Sequence, residues 1–457
     1  MNKWTRCMIG TVLTLSLLIP SVALAQTNGD HNATAVKKES ITKYPVLSKA
    51  KKPEEVGFSS EKLKKVDQLI EKEVAAGFPG AALIVIKDGK IVKNDSYGYK
   101  QKFDGHLPLR KFLKMENDTL FDLASNTKMY AVNFALQKLV SEGKLDIHAK
   151  VQQYIPEFKD TESDVIKGKD TLRIIDVLHH TAGFKPDPQY HNPSVSKELY
   201  SQEKTKTIEF ISKTPLTYEP GTKNVYSDVD YMLLGAIIER ITGQQLDTYV
   251  ENEIYKPLHL KDTKFNPLQK GFKPKNIAAT ELLGNTRDGV IDFPNIRTYT
   301  LQGEVHDEKA FYSMEGVSGH AGLFSTTGDL AVLLQAMING GGYGKHTLFD
   351  QETIDEFVAP SEMNSTYGLG WRRNGNESME WMFGPHASEN AYGHTGWTGT
   401  VTIIDPELDL GIVLLTNKKH SPLVNPEVNS NQFFGDLFST GSYGSVVTTI
   451  YDALETK

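Results

Sequence analysis

Along "SSEKLKKVDQLIEKEV", Leu63, Val66, Leu69, Ile70 and Val74 recur at three- and four-residue intervals. This is the spacing of a helix with one apolar face, and Ser59 or Ser60 is placed to cap it. The period then changes. "GAALIVIKDGKIVKNDSYGY" holds two apolar runs flanking Asp88-Gly89, a pair that tolerates the positive φ of a tight turn, so a hairpin is predicted. Residues 125–142 return to helical spacing, with Ala131, Phe134, Ala135 and Leu139 on one face. From there to about residue 360 the pattern is mostly helical, broken by Gly-, Pro- and His-rich loops. "GTVTIIDPELDLGIVLLTN" then gives two more strand-like runs around a Pro-Glu-Leu-Asp turn, and "GSVVTTIYDALE" predicts a closing helix.

Strands at both ends with helices between predict an α/β (α+β) fold. One antiparallel sheet is built from the two chain ends and flanked by helices, with a helix-rich subdomain inserted in the middle. No internal repeat is visible. The glycine cluster "NGGGYGKHT" is a surface turn rather than a phosphate loop, because Asn339 stands where the first glycine belongs and His346 replaces the Ser or Thr.

The amino-terminal segment changes the picture of where the chain works. Lys3 and Arg6 precede an apolar run from about Met8 to Leu18, and Ala23-Leu24-Ala25 precedes Gln26 as a small-x-small cleavage signature. Residues 1–25 therefore read as a cleaved secretory signal, the apolar run being too short for a spanning helix. Residues 26–52 are polar and Lys-rich and read as a linker, and 53–455 as the working domain. The product is expected outside the cytoplasmic membrane, secreted or periplasmic, without stable membrane insertion.

Cys7, the one cysteine, lies in the signal, so the mature chain has no thiol for a nucleophile, a metal ligand or a disulfide. Stability must come from the core, and about 430 residues can bury a large one. Without Lys3 and Arg6, 48 basic residues face 57 acidic ones, a net charge of −9 with no basic block. Nucleic acid is not an expected partner, since neutralising phosphates needs a positive face.

Candidate chemistry begins at "DLASNTKMYAVN". On a helix, i and i+3 lie on one face, so Lys128 can bring its amine to the Ser125 hydroxyl. A serine is a poor nucleophile until a base takes its proton, and lysine serves only with a lowered pKa. A helix starting there also aims N–H groups at the reacting centre. Ser-x-x-Lys recurs by chance in chains of this length, and an ordinary helix start would look the same. Two later segments bear on it. In "GTKNVYSDVDYMLLGAIIERITG", Tyr226-Ser227-Asp228 follows a Pro-Gly turn and precedes an apolar helix, where a loop can present a phenol. Beside a lysine ammonium such a phenol can act as general base or proton relay; otherwise it is a half-buried core tyrosine. In "YGHTGWTGTVTIID", His394-Thr395-Gly396 opens a strand, and Gly396 leaves room for a substrate backbone. The N–H groups of Trp397 and Ser125 are candidates for an oxyanion hole.

In this order and at these separations, the three segments resemble the Ser-x-x-Lys, Tyr-x-Asn and Lys-Thr-Gly boxes of serine β-lactamases and penicillin-binding proteins. "LRIIDVLHHTAGF", "YEPGTKNVYSD", "YKPLHLKDTKFNP" and "GVSGHAGLFSTTGDLA" are similar to segments of the class C-like branch. "LASNTKMYAVN", "NPLQKGF", "FPNIRTYTLQGEVHDEKAFYSMEG" and "YGLGWRRNGN" look closer still to the penicillin-binding protein 4B group. The resemblance covers roughly residues 53 to 455. It implies the serine β-lactamase/D,D-peptidase fold, with Ser125 as nucleophile, Lys128 and Tyr226 moving its proton, and Asp228, His394, Thr395, Gly396 and Trp397 facing substrate or oxyanion. It also implies that a β-lactam can acylate Ser125.

Two positions depart from the boxes. Asp228 stands where the family usually has Asn, and a carboxylate only accepts hydrogen bonds. Directed at Lys128, it would hold the lysine protonated and shift the base role toward Tyr226; directed at substrate, it would favour an N–H. His394 replaces a lysine that in many relatives helps hold a substrate carboxylate, and an ordinary imidazole is mostly neutral at pH 7. Some D,D-peptidases of the superfamily carry His-Thr-Gly as well. No cofactor is expected. His179 and His180, His306-Asp307 and His320 lack the spacings of metal motifs, and segments like "HHTAG" and "SGHAG" shape the site rim in the family. Trp371 and Trp397 are candidates for a sugar or acyl pocket, with buried packing the expected role of Trp371.

The resulting expectation is a secreted serine amidohydrolase of peptidoglycan fragments. The muropeptide-salvage role of the 4B group and a neutral His394 favour the amide between N-acetylmuramic acid and L-alanine. The terminal D-alanyl-D-alanine bond comes second, a β-lactam or ester third, and a non-catalytic penicillin-binding sensor last, since a pure binder needs neither Lys128 nor Tyr226.

Overall fold

A computed structural model describes residues 42–455. The expected signal at 1–25 and the linker as far as residue 41 lie outside the described residues. Within the remainder of the stretch read as linker, β1 (Ser48–Lys49) pairs in parallel with β3, Ser48 opposite Lys90.

The predicted amino-terminal helix is α1 (Ser60–Ala75). Its cap is Ser59, whose side chain accepts from Lys62 N–H at 3.3 Å. The hairpin follows as β2 (Gly80–Lys87) and β3 (Lys90–Asp104), joined through Asp88 at φ 50° and Gly89 at φ 70°. Both turn residues have positive φ, which the Asp-Gly pair accepts at little cost. β4 (Leu107–Lys114) extends the outer edge against β3.

From the other end of the chain come β8 (Arg372–Arg373), β9 (Tyr392–Gly396), β10 (Thr400–Asp405) and β11 (Leu410–Thr416). The sheet runs β1-β3-β2-β11-β10-β9-β8, with β4 on β3. It is antiparallel except at the β1–β3 pair. Its centre is the junction of the two chain ends, where Leu83 of β2 faces Leu414 of β11.

Both central strands are buried on both faces, which is why they read as unbroken apolar runs rather than alternating ones. Their period of two still divides them. Ala82, Ile84 and Ile86, with Val413 and Leu415, enter the larger core among the inserted helices. Ala81, Leu83 and Val85, with Ile412 and Leu414, face α1 and the closing helix α6 (Gly444–Asp452). The larger core gathers α2 (residues 126–141), α3 (Asp228–Thr242) and α4 (Thr327–Ile338). A small second sheet sits at its rim: β5 (Phe121–Asp122) and β6 (Lys264–Phe265) both pair with β7 (Leu323–Ser325). The "NGGGYGKHT" segment forms a short hairpin, Gly342–Tyr343 against His346–Thr347. No helix among the described residues is long and apolar enough to cross a membrane.

Candidate active site

The turn from β5 into α2 carries Ser125. Ala124 before it sits at φ +46°, the left-handed region that a residue with a Cβ enters only at a cost. Surrounding bonds hold it there. Asp122 Oδ1 accepts Ala124 N–H at 2.8 Å, Thr398 Oγ1 donates to Asp122 O at 2.7 Å, and Thr400 Oγ1 donates to Leu123 O at 3.0 Å. Asn126 Nδ2 donates in turn to Thr400 Oγ1 at 3.0 Å. The turn is thus stitched to the β9–β10 hairpin.

Gly396 allows this approach. A Cβ there would lie 2.3 Å from Leu123 O and 3.2 Å from the Ala124 Cβ. Residue 397 follows at once, so the N–H groups of Ser125 and Trp397 lie on adjoining turns. Neither donates to an acceptor among the described residues.

The expected helix over 125–142 opens differently from a regular α-helix. Lys128–Asn133 form a wide π turn before the regular stretch Phe134–Ser141. Such turns recur at functional sites because they redirect side chains without ending the helix. Lys128, fully buried, donates from Nζ to Ser125 Oγ at 3.1 Å, Asp228 Oδ1 at 2.9 Å and His320 O at 3.1 Å. Burial pulls its pKa down, but the attraction of Asp228, followed by that of Tyr226, outweighs burial and leaves it raised. The ammonium form is therefore the resting state.

Tyr226 stands one residue before the cap of α3, where Ser227 Oγ accepts Val229 N–H at 3.2 Å. The Lys128 ammonium lies 4.8 Å from the centre of its ring. The His180 ring is 4.7 Å away on one side and the His394 ring 6.0 Å on another. His180 in turn contacts Asp230 Oδ2 through Nδ1 at 2.6 Å.

Asp228 is directed at lysine, resolving its two sequence-level alternatives. Oδ1 meets Lys128, and Oδ2 meets Lys309 Nζ at 3.3 Å. Although burial raises it, the two lysines hold its carboxyl far below the usual range. Lys309 also faces Asp307 at 3.1 Å and Asp187 at 3.1 Å, and His320 Nε2 contacts Asp307 Oδ1 at 2.8 Å. Asp228, Asp307 and His320 would form a three-ligand metal cluster by distance alone. The residues fit a cation poorly, because the Lys309 ammonium already occupies the place where it would balance the carboxylates.

His394 is buried, and burial followed by the Arg372 and Lys128 charges pushes it well below the ordinary imidazole range. Its Nδ1 lies 2.7 Å from Thr395 O, an acceptor, so the ring proton sits there. Nε2 is left as a bare acceptor without a partner among the described residues. Among the described residues, β8 pairs with Tyr392 and Gly393 alone, and His394–Gly396 have no strand neighbour on that side.

Ser125, Tyr226, His394, Thr395, Gly396 and Trp397 line one cavity of about 490 Å³. Lys128 lies beneath Ser125 and Asp228 behind Lys128, so the structure brings all eight expected residues together. A groove of about 740 Å³ beside β3 and β4, lined by Lys100, Lys111, Phe112 and Lys114, joins no nucleophile to a base. Trp371 is fully buried against Tyr130 and Tyr392, while Trp397 is 40% exposed.

Three contributors went unassigned in the sequence: Lys309, His180 and Arg372. Each lies within a family-like segment, but no box letter marks it. Arg372 lines the cavity, its guanidinium 5.5 Å from the Tyr226 ring and 4.3 Å from that of Tyr367. Its Nε is buried without a partner among the described residues.

Against known proteins, residues 66–433 match the family described as Beta-lactamase. The chain is 60% identical over 455 residues, all of both chains, to a protein of Bacillus subtilis (strain 168) named N-acetylmuramyl-L-alanine amidase. It is 59% identical over 412 residues, 90% of this chain and 95% of the other, to a protein of Salmonella paratyphi B named "Putative D-alanyl-D-alanine carboxypeptidase". Among solved structures, a penicillin-binding protein homolog from Caulobacter crescentus aligns with a TM-score of 0.59 at 20% identity, over 87% of this chain and 99% of that one. Simvastatin synthase (LovD) from Aspergillus terreus gives 0.62 at 17% identity, over 87% of this chain and 100% of that one. At these identities the two structures speak for the fold alone.

Proposed function

The chain belongs to the Beta-lactamase family and is a serine hydrolase, and on that premise we propose that it is a secreted N-acetylmuramyl-L-alanine amidase acting through an acyl-enzyme on Ser125. The site observation that carries the mechanism is the buried chain Ser125–Lys128–Asp228, at 3.1 and 2.9 Å, ending beneath two unpaired N–H groups. The choice of bond is supported by full-length 60% identity to a protein named for that amide.

Ser125 Oγ attacks the lactyl carbonyl carbon of the muramic acid. Asp228 keeps Lys128 charged, so the serine proton passes to Tyr226 acting as the phenolate, whose negative charge the neighbouring ammonium stabilises. The carbonyl oxygen becomes an oxyanion held by Ser125 and Trp397 N–H. The tetrahedral centre collapses by breaking its C–N bond, and the L-alanine nitrogen leaves with the proton from Tyr226. Water then adds to the ester, gives a proton to Tyr226, and releases the muramic carboxylate as Ser125 regains its own. The neutral His394 offers Nε2 as an acceptor, suited to a substrate N–H rather than to a carboxylate.

Arg372 favours a second reading. A guanidinium on the cavity wall without a carboxylate partner among the described residues suits a terminal D-alanine, and so a D,D-carboxypeptidase. The two readings separate in one assay. The protein without residues 1–25 is incubated with MurNAc-L-Ala-D-Glu-diaminopimelate-D-Ala-D-Ala, and the products are weighed by mass spectrometry. Free N-acetylmuramic acid with intact pentapeptide is the expected result; loss of one D-alanine would replace the amidase by the carboxypeptidase. Ser125→Ala should abolish turnover with the fold intact, while Lys128→Ala and Tyr226→Phe should each cost about 10²–10⁴ in kcat/KM. Full activity in Ser125→Ala would end the acyl-enzyme mechanism.

A further inference from the structure

β9 has unlike ends. At its start Gly393 pairs with Arg372, and at its far end Gly396 leads into Trp397. Four residue steps, from Gly393 to Trp397, separate the two, about 13 Å at roughly 3.3 Å per residue. Beyond Trp397 the catalytic cavity continues into a compartment that the chemistry above does not use. Its walls are Trp381, Trp397, Tyr443, Asn429, Asn431 and Gln432.

Two tryptophans are large apolar surfaces to leave in water, and here Trp381 is 46% and Trp397 40% exposed in one cavity. Both are held in place. Trp381, on the short helix α5 (Glu380–Phe383), lies 6.5 Å from the Tyr443 ring, and Tyr443 Oη donates to Gly396 O at 3.3 Å. The Lys419 ammonium sits 4.0 Å from the Trp397 ring centre. These contacts restrict both rings before any ligand arrives, which lowers the ordering cost of binding.

The cations in this compartment are already engaged. Lys418 and Lys419 share Asp436 at 3.1 and 2.8 Å, and donate further to Gly441 O and Asn431 O. What remains for a ligand is aromatic face and side-chain amide. Among the described residues, Asn431 and Gln432 make no side-chain hydrogen bond, and the Asn429 amide engages only Asn431 N–H, through its oxygen at 2.9 Å. An array of that kind suits a neutral, polyhydroxylated ring. Pyranose C–H faces pack on indole, while amides donate to and accept from hydroxyl and N-acetyl groups.

We propose that this compartment is a subsite for the N-acetylated hexosamine of the substrate, which fixes the direction of binding: sugar beyond Trp397, peptide back along β9 toward Arg372. The inference rests on the amidase reading for the identity of the sugar. With the sugar-bearing half as the acyl group left on Ser125, the enzyme requires a sugar on its acyl side.

The test is a pair of ligands, N-acetylmuramyl-L-alanine and its sugar-free counterpart O-methyl-lactyl-L-alanine, titrated into the Ser125→Ala protein by calorimetry. The sugar should tighten binding at least tenfold. Trp381→Ala and, separately, Asn431→Ala should each collapse the ratio between the two ligands; Asn431 holds Lys419 through its backbone, so the second variant leaves that support in place. Equal affinity for the two ligands, or a ratio that neither variant moves, would overturn the subsite. Wild-type protein that releases no L-alanine from N-acetylmuramyl-L-alanine would sink the amidase reading, while a sugar-dependent ratio in Ser125→Ala would still uphold the subsite.

Discussion

At the scale of single residues, the departure of most consequence is Asp228. An asparagine there would leave Lys128 as a buried amine, and burial alone lowers a lysine pKa. The carboxylate reverses that outcome, and Lys128 stays protonated. The sign can be tested in a cycle. On the proposed mechanism, Tyr226→Phe removes the group that takes the serine proton. In Asp228→Asn the anion is gone, burial prevails, and Lys128 loses its proton at lower pH. The double variant Asp228→Asn/Tyr226→Phe should therefore recover at least tenfold over Tyr226→Phe alone, with kcat/KM climbing with pH as Lys128 loses its proton. A double variant as inactive as the single at every pH would remove Lys128 from the candidate bases. Ser125, Lys128, Tyr226 and His394 were legible in the sequence because their chemistry requires specific letters at local spacings. Lys309 and Arg372 were not, because their meaning depends on a carboxylate 81 positions away in one case and on an empty stretch of cavity wall in the other.

At the scale of elements, the site is a contact between two turns. The 122–126 turn and the β9–β10 hairpin are joined by the three side-chain bonds through Thr398 and Thr400 described above and by one glycine-sized gap. Gly396→Ala would push a methyl group into Leu123 O and part the N–H groups of Ser125 and Trp397, the oxyanion donors of the proposed mechanism. We expect kcat to fall by about 10²–10³, the usual effect of losing one such donor, with about 1–3 kcal/mol of stability lost to overpacking. Turnover against a muropeptide and urea unfolding measure the two separately; unchanged turnover would mean that Trp397 N–H does not bind the oxyanion. Helix α1 and both hairpins could be read from sequence because period and turn chemistry agree there, with Asp88-Gly89 the clearest case. The opening of α2 could not. Nothing in "KMYAVN" distinguishes a π turn from an α turn, because the partners of Lys128 at this turn include Asp228 and His320 O, far away in the chain.

At the scale of the whole molecule, the sheet joins the two ends of the chain along its middle, with β2 against β11 from Leu410–Lys87 to Thr416–Ala81. Leu414 is fully buried there, facing α1 and α6. Leu414→Ala should cost about 2–5 kcal/mol in urea unfolding while leaving KM unchanged below the transition; a loss under 1 kcal/mol would mean that the seam does not hold the fold. The α/β arrangement was visible in the order of apolar runs, whereas the parallel edge pair β1–β3 was not, because two residues of "SK" carry no periodicity. The seam also sets the timing of synthesis. Ser125, Lys128 and Tyr226 leave the ribosome long before Trp397 and the strand that braces it. A nascent chain therefore carries Ser125, Lys128 and Tyr226 before it holds the strand and turn that complete their cavity. Leu410 and Lys87, paired at one end of the seam, stand some three hundred positions apart in the chain, and contacts of such sequence separation form slowly.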